Sequence, residues 1–162
     1  MTITIRRARR EDLHAISVLG QELNGLHHEN WPQIFAPPSD PARDFSHWQH
    51  SFSKDDATAF VGEHSGKVVA FITAKLHIES SPLLQPIRVA RIGSVCVHAP
   101  FRRHGIGRLL MTEVELWAHE RDAHDIQLNV WTFNSEALNF YVELGYRVRS
   151  CTLGKLPNRT SN

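Results

Sequence analysis

Arg102-Arg103-His104-Gly105-Ile106-Gly107 is a basic, glycine-bearing stretch with contrasting sequence on its two sides. Upstream runs Val89-Ala90-Arg91-Ile92-Gly93-Ser94-Val95-Cys96-Val97, rich in branched residues and readable as a strand. Downstream, Ile106, Leu109, Leu110, Val114, Trp117 and Ala118 recur at three- and four-residue spacing, which predicts an amphipathic helix buried along that stripe. A tight turn between strand and helix leaves several backbone N–H groups unpaired and pointing the same way. The helix dipole adds partial positive charge there, and Arg102, Arg103 and Arg108 strengthen the field. Such a turn is suited to hold a phosphate or pyrophosphate. A P-loop would need Gly-x-x-x-x-Gly-Lys-Ser/Thr, and a dinucleotide turn Gly-x-Gly-x-x-Gly with a later acid on the ribose; neither occurs.

A second block follows in Leu128-Asn129-Val130-Trp131-Thr132-Phe133-Asn134-Ser135-Glu136-Ala137-Leu138-Asn139-Phe140-Tyr141-Val142-Glu143-Leu144-Gly145-Tyr146. Ile126, Leu128 and Val130 alternate with Gln127, Asn129 and Trp131, which predicts a strand over 126–132. Asn134 offers a helix cap, residues 137–144 continue as helix, and Gly145 stands where a left-handed C-terminal cap belongs.

The spacing Arg102-x-x-Gly105-x-Gly107 after a strand resembles the pyrophosphate-binding motif of the GNAT superfamily of N-acetyltransferases, whose donor is acetyl-CoA. Asn134-x-x-Ala137-x-x-Phe140-Tyr141 with Leu144-Gly145-Tyr146 is similar to that family's second motif, in the right order and at the usual separation. The resemblance covers residues 3–153 or so. It implies that the asparagine holds the pantetheine arm and that the tyrosine hydroxyl reaches the thioester sulfur. It also implies two central strands, near 91–97 and 126–132, that splay apart to admit the donor. Splaying would leave backbone groups of Val95 and Val97 for the pantetheine amides to pair. The implied acetyl-CoA site is therefore Val95, Cys96 and Val97 on the strand, Arg102, Arg103, His104, Gly105, Ile106, Gly107 and Arg108 in the turn, and Asn134, Ala137 and Tyr141 beyond. Cys96 faces the other side of the strand by alternation, as a small buried hydrophobe rather than a nucleophile.

The implied chemistry is direct attack of a primary amine, on a small molecule or an amino terminus, upon the thioester carbonyl. An amide N–H near Val95 would stabilise the developing oxyanion, and Tyr141 would be catalytic by protonating or hydrogen-bonding the departing thiolate. Core packing is the alternative for Tyr141, and the structural one is preferred for Tyr146. A non-catalytic acyl-CoA-binding or regulatory module on the same fold is the alternative for the whole chain. Relatives often carry an acid on the strand before the turn, where this chain has Gly93 and Ser94. Glu79, His77, Glu63 and Glu29 could receive the proton through water, or the amine could bind neutral. The family's proline before the turn is displaced by one, with Ala99 in its place and Pro100 after it.

Elsewhere, residues 2–8 read as a first strand, and Asp12 caps a helix with Leu13, Ile16, Leu19, Leu23 and Leu26 as its buried stripe. Four prolines in 31–41 exclude a long helix; this segment is either a lid over the acceptor or a contact surface. A short helix should present Phe45, Trp48 and Phe52 on one side. Residues 59–64 and 67–77 form a hairpin turned at Ser65-Gly66, a loop occupies 80–86, and 146–153 closes the sheet. This order predicts an α+β fold, with a mixed, mostly antiparallel central sheet flanked by helices.

The chain's 162 residues, 41% hydrophobic, suit one domain over 1–162. A net charge of +1, without stacking aromatics among basic residues, argues against nucleic acid or an anionic membrane as partner. With no apolar run of membrane length, no signal-peptide core and only Cys96 and Cys151, a reduced cytoplasmic setting is expected. His27-His28 and His47-x-x-His50 lack a third ligand at metal spacing, so no metal is expected. A homodimer is expected through the edge strand 146–153, with Arg147 and Arg149 as the gatekeepers of a monomer otherwise.

Overall fold

The computed structural model describes residues 2–52 and 55–156; Met1, Ser53, Lys54 and 157–162, including the extremes of the expected domain, lie outside the described residues. The chain forms two compact units, Met1–Asn129 and Val130–Asn162. In the first, strands β1 (Thr4–Arg7), β2 (Ala57–His64), β3 (Lys67–Glu79), β4 (Ile87–Val97) and β5 (Asp125–Gln127) make one sheet in that order. Pairing is antiparallel from β1 to β4, and β5 lies parallel to β4. The β2–β3 hairpin turns through Ser65 (φ 49°) and Gly66 (φ 75°), the two positive dihedrals a type I′ turn needs.

Helix α1 (Leu13–Asn30) and short helix α2 (Phe45–Gln49) follow β1. Ile16, Leu19 and Trp48 pack with Val61, Phe71 and Cys96 of the sheet, and Leu13, Leu23 and Phe52 border that cluster. Leu26, expected in the stripe, is exposed. Asp12 stands at the start of α1 without a side-chain cap bond, since Arg6 holds its carboxylate at 2.7 and 2.8 Å. Helix α3 (Ile106–His119) lies against β1 to β4, burying Ile106, Leu110, Met111, Val114, Trp117 and Ala118. Leu109 is exposed instead, and Met111 takes the place it was assigned. At 100° per residue the buried arc is centred one residue further on.

Residues 31–40 form no long helix, but they are fastened down. Gln21 binds Asp44 and accepts from Ser39 N–H, Asn24 donates to Ala36 O, and His28 Nδ1 meets Phe35 O at 2.7 Å.

The second unit contains helix α4 (Ser135–Glu143), with Gly145 at φ 95° as the expected left-handed cap. Two expected strands are corrected. Residues 128–132 and 146–153 carry no strand pairing, and Val148 and Leu153 are exposed. Alternation reports side-chain faces, whereas a strand also needs a neighbouring backbone for its hydrogen bonds. The dimer reasoned from an edge at 146–153 loses its premise.

Candidate active site

The turn between β4 and α3 is built as the sequence suggests, with one addition. A short 3-10 turn, Ala99–Phe101, follows β4 and uses Pro100 where no N–H is wanted. Arg103 then takes φ 65° and Gly105 φ 77°. A left-handed arginine is strained, which is common where a loop is shaped for a ligand. Gly105 is the N-cap of α3 and makes no side-chain cap, so the first-turn N–H groups of the helix have no intrahelical acceptor. Ile106, 1% exposed, anchors the helix start in the core.

The parallel pairing of β5 with β4 ends at Arg91 opposite Gln127, while β4 runs on to Val97 along β3. That is a splay in all but name. His98 N–H donates to Val69 O at 2.8 Å, and antiparallel alternation therefore turns the backbone of Cys96 toward β3 and those of Val95 and Val97 away from it. Val95 and Val97 thus present N–H and C=O groups to the side that β5 has left. Arg102 Nε donates to Val97 O at 2.9 Å.

A bulge marks the start of the open stretch. Ile72 pairs with Val95 but Ala74 with Ile92, so Thr73 alone faces Gly93 and Ser94. Thr73 Oγ1 accepts from Ser94 N–H at 3.0 Å, and a Cβ on Gly93 would lie 2.8 Å from that hydroxyl. Thr73 Oγ1 therefore occupies the room that a side chain at position 93 would take.

Cys96 is 4% exposed, and its Sγ–H points at Leu19 O. Burial, aided by the Glu22 charge and opposed by Arg102, pushes its thiol up to about 12. A nucleophilic role would need the opposite environment. The four proton acceptors divide. Glu63 is paired with Arg6 at 2.9 Å, His77 and Glu79 with each other at 3.0 Å, and Glu29 is exposed on α1. His77 and Glu79 sit opposite Val89 and Ile87, several residues along the sheet from the Gly93–Ser94 bulge.

In the second unit, Asn134 Oδ1 accepts from Ala137 N–H at 3.0 Å and caps α4. Tyr141 lies on the same helix, 9% exposed, with Phe140 and Tyr146 rings beside it. Burial pushes its hydroxyl up to about 12, so the phenol stays protonated at ordinary pH and keeps a hydrogen to donate.

Sequence reasoning missed Thr73 and Glu22. Glu22, on α1, accepts from His98 Nδ1 at 2.7 Å, Ala99 N–H at 3.1 Å and Arg102 Nη2 at 2.9 Å. These partners lie 76 to 80 residues away along the chain, beyond any local pattern. His27 and His50 bind backbone carbonyls, and among the described residues no group of three or more His, Cys, Asp or Glu could hold a metal ion. Among the same residues, no helix is long and apolar enough to cross a membrane.

A model of the acetyltransferase (GNAT) family matches residues 21–146. The chain is similar to an uncharacterized N-acetyltransferase of Methanocaldococcus jannaschii, 27% identical over 155 residues, covering 96% of this chain and 65% of that protein. An N-alpha-acetyltransferase of Sulfurisphaera tokodaii is 31% identical over 96 residues, covering 57% of this chain and 58% of the relative. The chain therefore spans less than two thirds of the length of these curated relatives. A crystal structure of a mutant BH1408 protein from Bacillus halodurans superposes with a TM-score of 0.88 at 26% identity, covering 95% of this chain and 98% of that one.

Proposed function

This chain belongs to the acetyltransferase (GNAT) family, and we propose that it transfers the acetyl group of acetyl-CoA directly to a primary amine, on a small molecule or an amino terminus. The observation that carries the reading is the end of β4–β5 pairing at Arg91, with Val95 and Val97 turned toward the opened side and a left-handed glycine turn at the far end. Those features suit a donor that brings peptide-like amides along its arm and phosphates at its end. In this reading the first-turn N–H groups of α3 and the backbone of residues 103–107 receive the diphosphate, with Arg108 adding charge. Asn134 and Ala137 are assigned to the pantetheine arm on the motif they match, and the chain is read as a single domain.

The amine nitrogen attacks the thioester carbon, the carbonyl oxygen gains charge opposite the Val95 N–H, and the carbon–sulfur bond breaks as CoA leaves as a thiolate. Tyr141 donates its hydroxyl hydrogen to that sulfur. A phenol near 12 is a poorer acid than an ordinary thiol. Tyr141 is therefore assigned to hydrogen-bonding the sulfur as charge builds there, and solvent completes the protonation. The environment of Cys96 supports direct transfer over an acetyl-cysteine intermediate. With Gly93 and Ser94 at the bulge, the amine sheds its proton to water or arrives neutral. An amine panel that includes polyamines and peptides with free amino termini tests the reading by free-thiol release from acetyl-CoA. Thiol release with none of them, from protein that binds CoA, would reject the transferase reading.

A further inference from the structure

Glu22 is the best-connected side chain near the β4–α3 turn, and nothing in the direct-transfer chemistry uses it. It lies half-buried on α1, between Gln21 and Asn24, which fasten the 31–44 segment to the same helix. Its Oε1 accepts from Ala99 N–H at 3.1 Å and Arg102 Nη2 at 2.9 Å, and its Oε2 meets His98 Nδ1 at 2.7 Å. Arg102 completes a chain by donating Nε to Val97 O at 2.9 Å. One carboxylate therefore fixes the direction of the chain as it leaves β4 and the side chain of the first arginine in the turn. Charge-assisted bonds of this kind are strong and directional.

We propose that Glu22 is a positioning residue for the diphosphate turn, and that Arg102 serves as a brace between Glu22 and Val97 rather than as a ligand of the phosphates. This rests on the reading of residues 102–108 as the CoA diphosphate turn. Three donors from one turn on one carboxylate leave little freedom for His98 to Arg102, and the left-handed Arg103 and Gly105 follow at once. Without the carboxylate, Arg102 loses its anchor, Ala99 N–H its acceptor, and the N–H groups beyond them their preset direction. Affinity for the diphosphate then falls, while groups further up β4 keep their places.

The test is calorimetric titration of the full chain with CoA and, separately, with S-acetylpantetheine, which lacks the diphosphate. For Glu22→Ala the Kd for CoA should rise roughly tenfold, within the coupling found inside one hydrogen-bond network. The affinity for S-acetylpantetheine and the number of sites should not change. A purely structural role would lower the fraction of competent sites and leave Kd as it was. An unchanged or tighter Kd for CoA in folded Glu22→Ala would overturn the proposal, tighter binding meaning that Glu22 restrains an arginine that seeks phosphate. If Glu22→Ala does not fold, Glu22→Gln carries the same test, because it keeps the shape and one accepting oxygen. A Gln variant with wild-type Kd would equally overturn it. Failure of the wild-type chain to bind CoA would instead remove the diphosphate-turn reading itself, and the proposal with it.

Discussion

Gly93→Ala adds one methyl group at the bulge where β4 begins its open stretch, and its cost can be worked from two distances. The new Cβ would stand 2.8 Å from Thr73 Oγ1, and the next atom, Thr73 O, is 3.9 Å away. Only the hydroxyl has to give. Thr73 is 7% exposed and branched at Cβ, so it has few rotamers to turn into, and turning breaks the 3.0 Å bond from Ser94 N–H. A lost bond costs about 0.5–1.5 kcal/mol net, rising to about 1–3 when a group is left without a partner in the interior. Against this, alanine restricts the unfolded chain and stabilises by about 0.4–1 kcal/mol where the backbone permits it. It does permit it, since Gly93 is not among the positive-φ residues. The steric term wins, leaving a net loss of about 1–2 kcal/mol. For a chain of this size that is a fall in Tm of about 2–8 °C in a calorimetric melt. Thr73→Ser in the same background should recover part of it, because serine lacks the γ-methyl that hinders rotation. A Tm equal to or above wild type in Gly93→Ala would refute the reasoning.

Gly105→Val forces a branched residue to φ 77°, at about 1–2 kcal/mol, and should abolish the rise in Tm that CoA gives the wild-type chain; a preserved rise in folded protein would count against the turn. Tyr141→Phe removes one hydrogen-bond donor to the developing charge on sulfur and should lower turnover by about a hundredfold, with a smaller change in KM for acetyl-CoA. Because the hydroxyl sits near 12, the alkaline limb of the rate profile below pH 10 should be the same in both proteins, and wild-type turnover in the variant would make Tyr141 a packing residue. Asp12, hydrogen-bonded by Arg6, has its carboxyl held below the usual range, so its contribution to stability is complete above the unfolded value of about 4 and is lost as pH falls below it. Asp12→Asn should therefore flatten the acid limb of urea-measured stability and cost about 1–3 kcal/mol at pH 7; an acid limb as steep as wild type would move the effect to other carboxylates.

The sequence was most legible where the physics is local. The β2–β3 turn follows from Ser65-Gly66, the start of α3 from Gly105, the cap of α4 from Asn134, and the stripe of α3 from its spacing, apart from the exchange of Leu109 for Met111. Each depends on dihedral preferences or side-chain periodicity within one element. The candidate turn was legible for the same reason, because glycine spacing between a strand and a helix is written in consecutive residues.

What the sequence left open depends on partners distant along the chain. Residues 126–132 alternate like a strand throughout, yet pairing stops at Gln127 because β4 and β5 part company at Arg91. The absence of an acid at position 93 was plain in the sequence, but the Thr73 hydroxyl that crowds this position is visible only once β3 lies beside β4. Glu22 looks like any polar residue on a helix until folding brings His98, Ala99 and Arg102 to its carboxylate. By itself the sequence determined helices α1, α3 and α4, the β2–β3 hairpin and the glycine turn between β4 and α3, since these follow from the conformational preferences of neighbouring residues. Only the tertiary structure decided where the sheet opens, which backbone groups that opening presents and which side chain holds the turn, because hydrogen bonds between distant segments are chosen by the packing that brings them together.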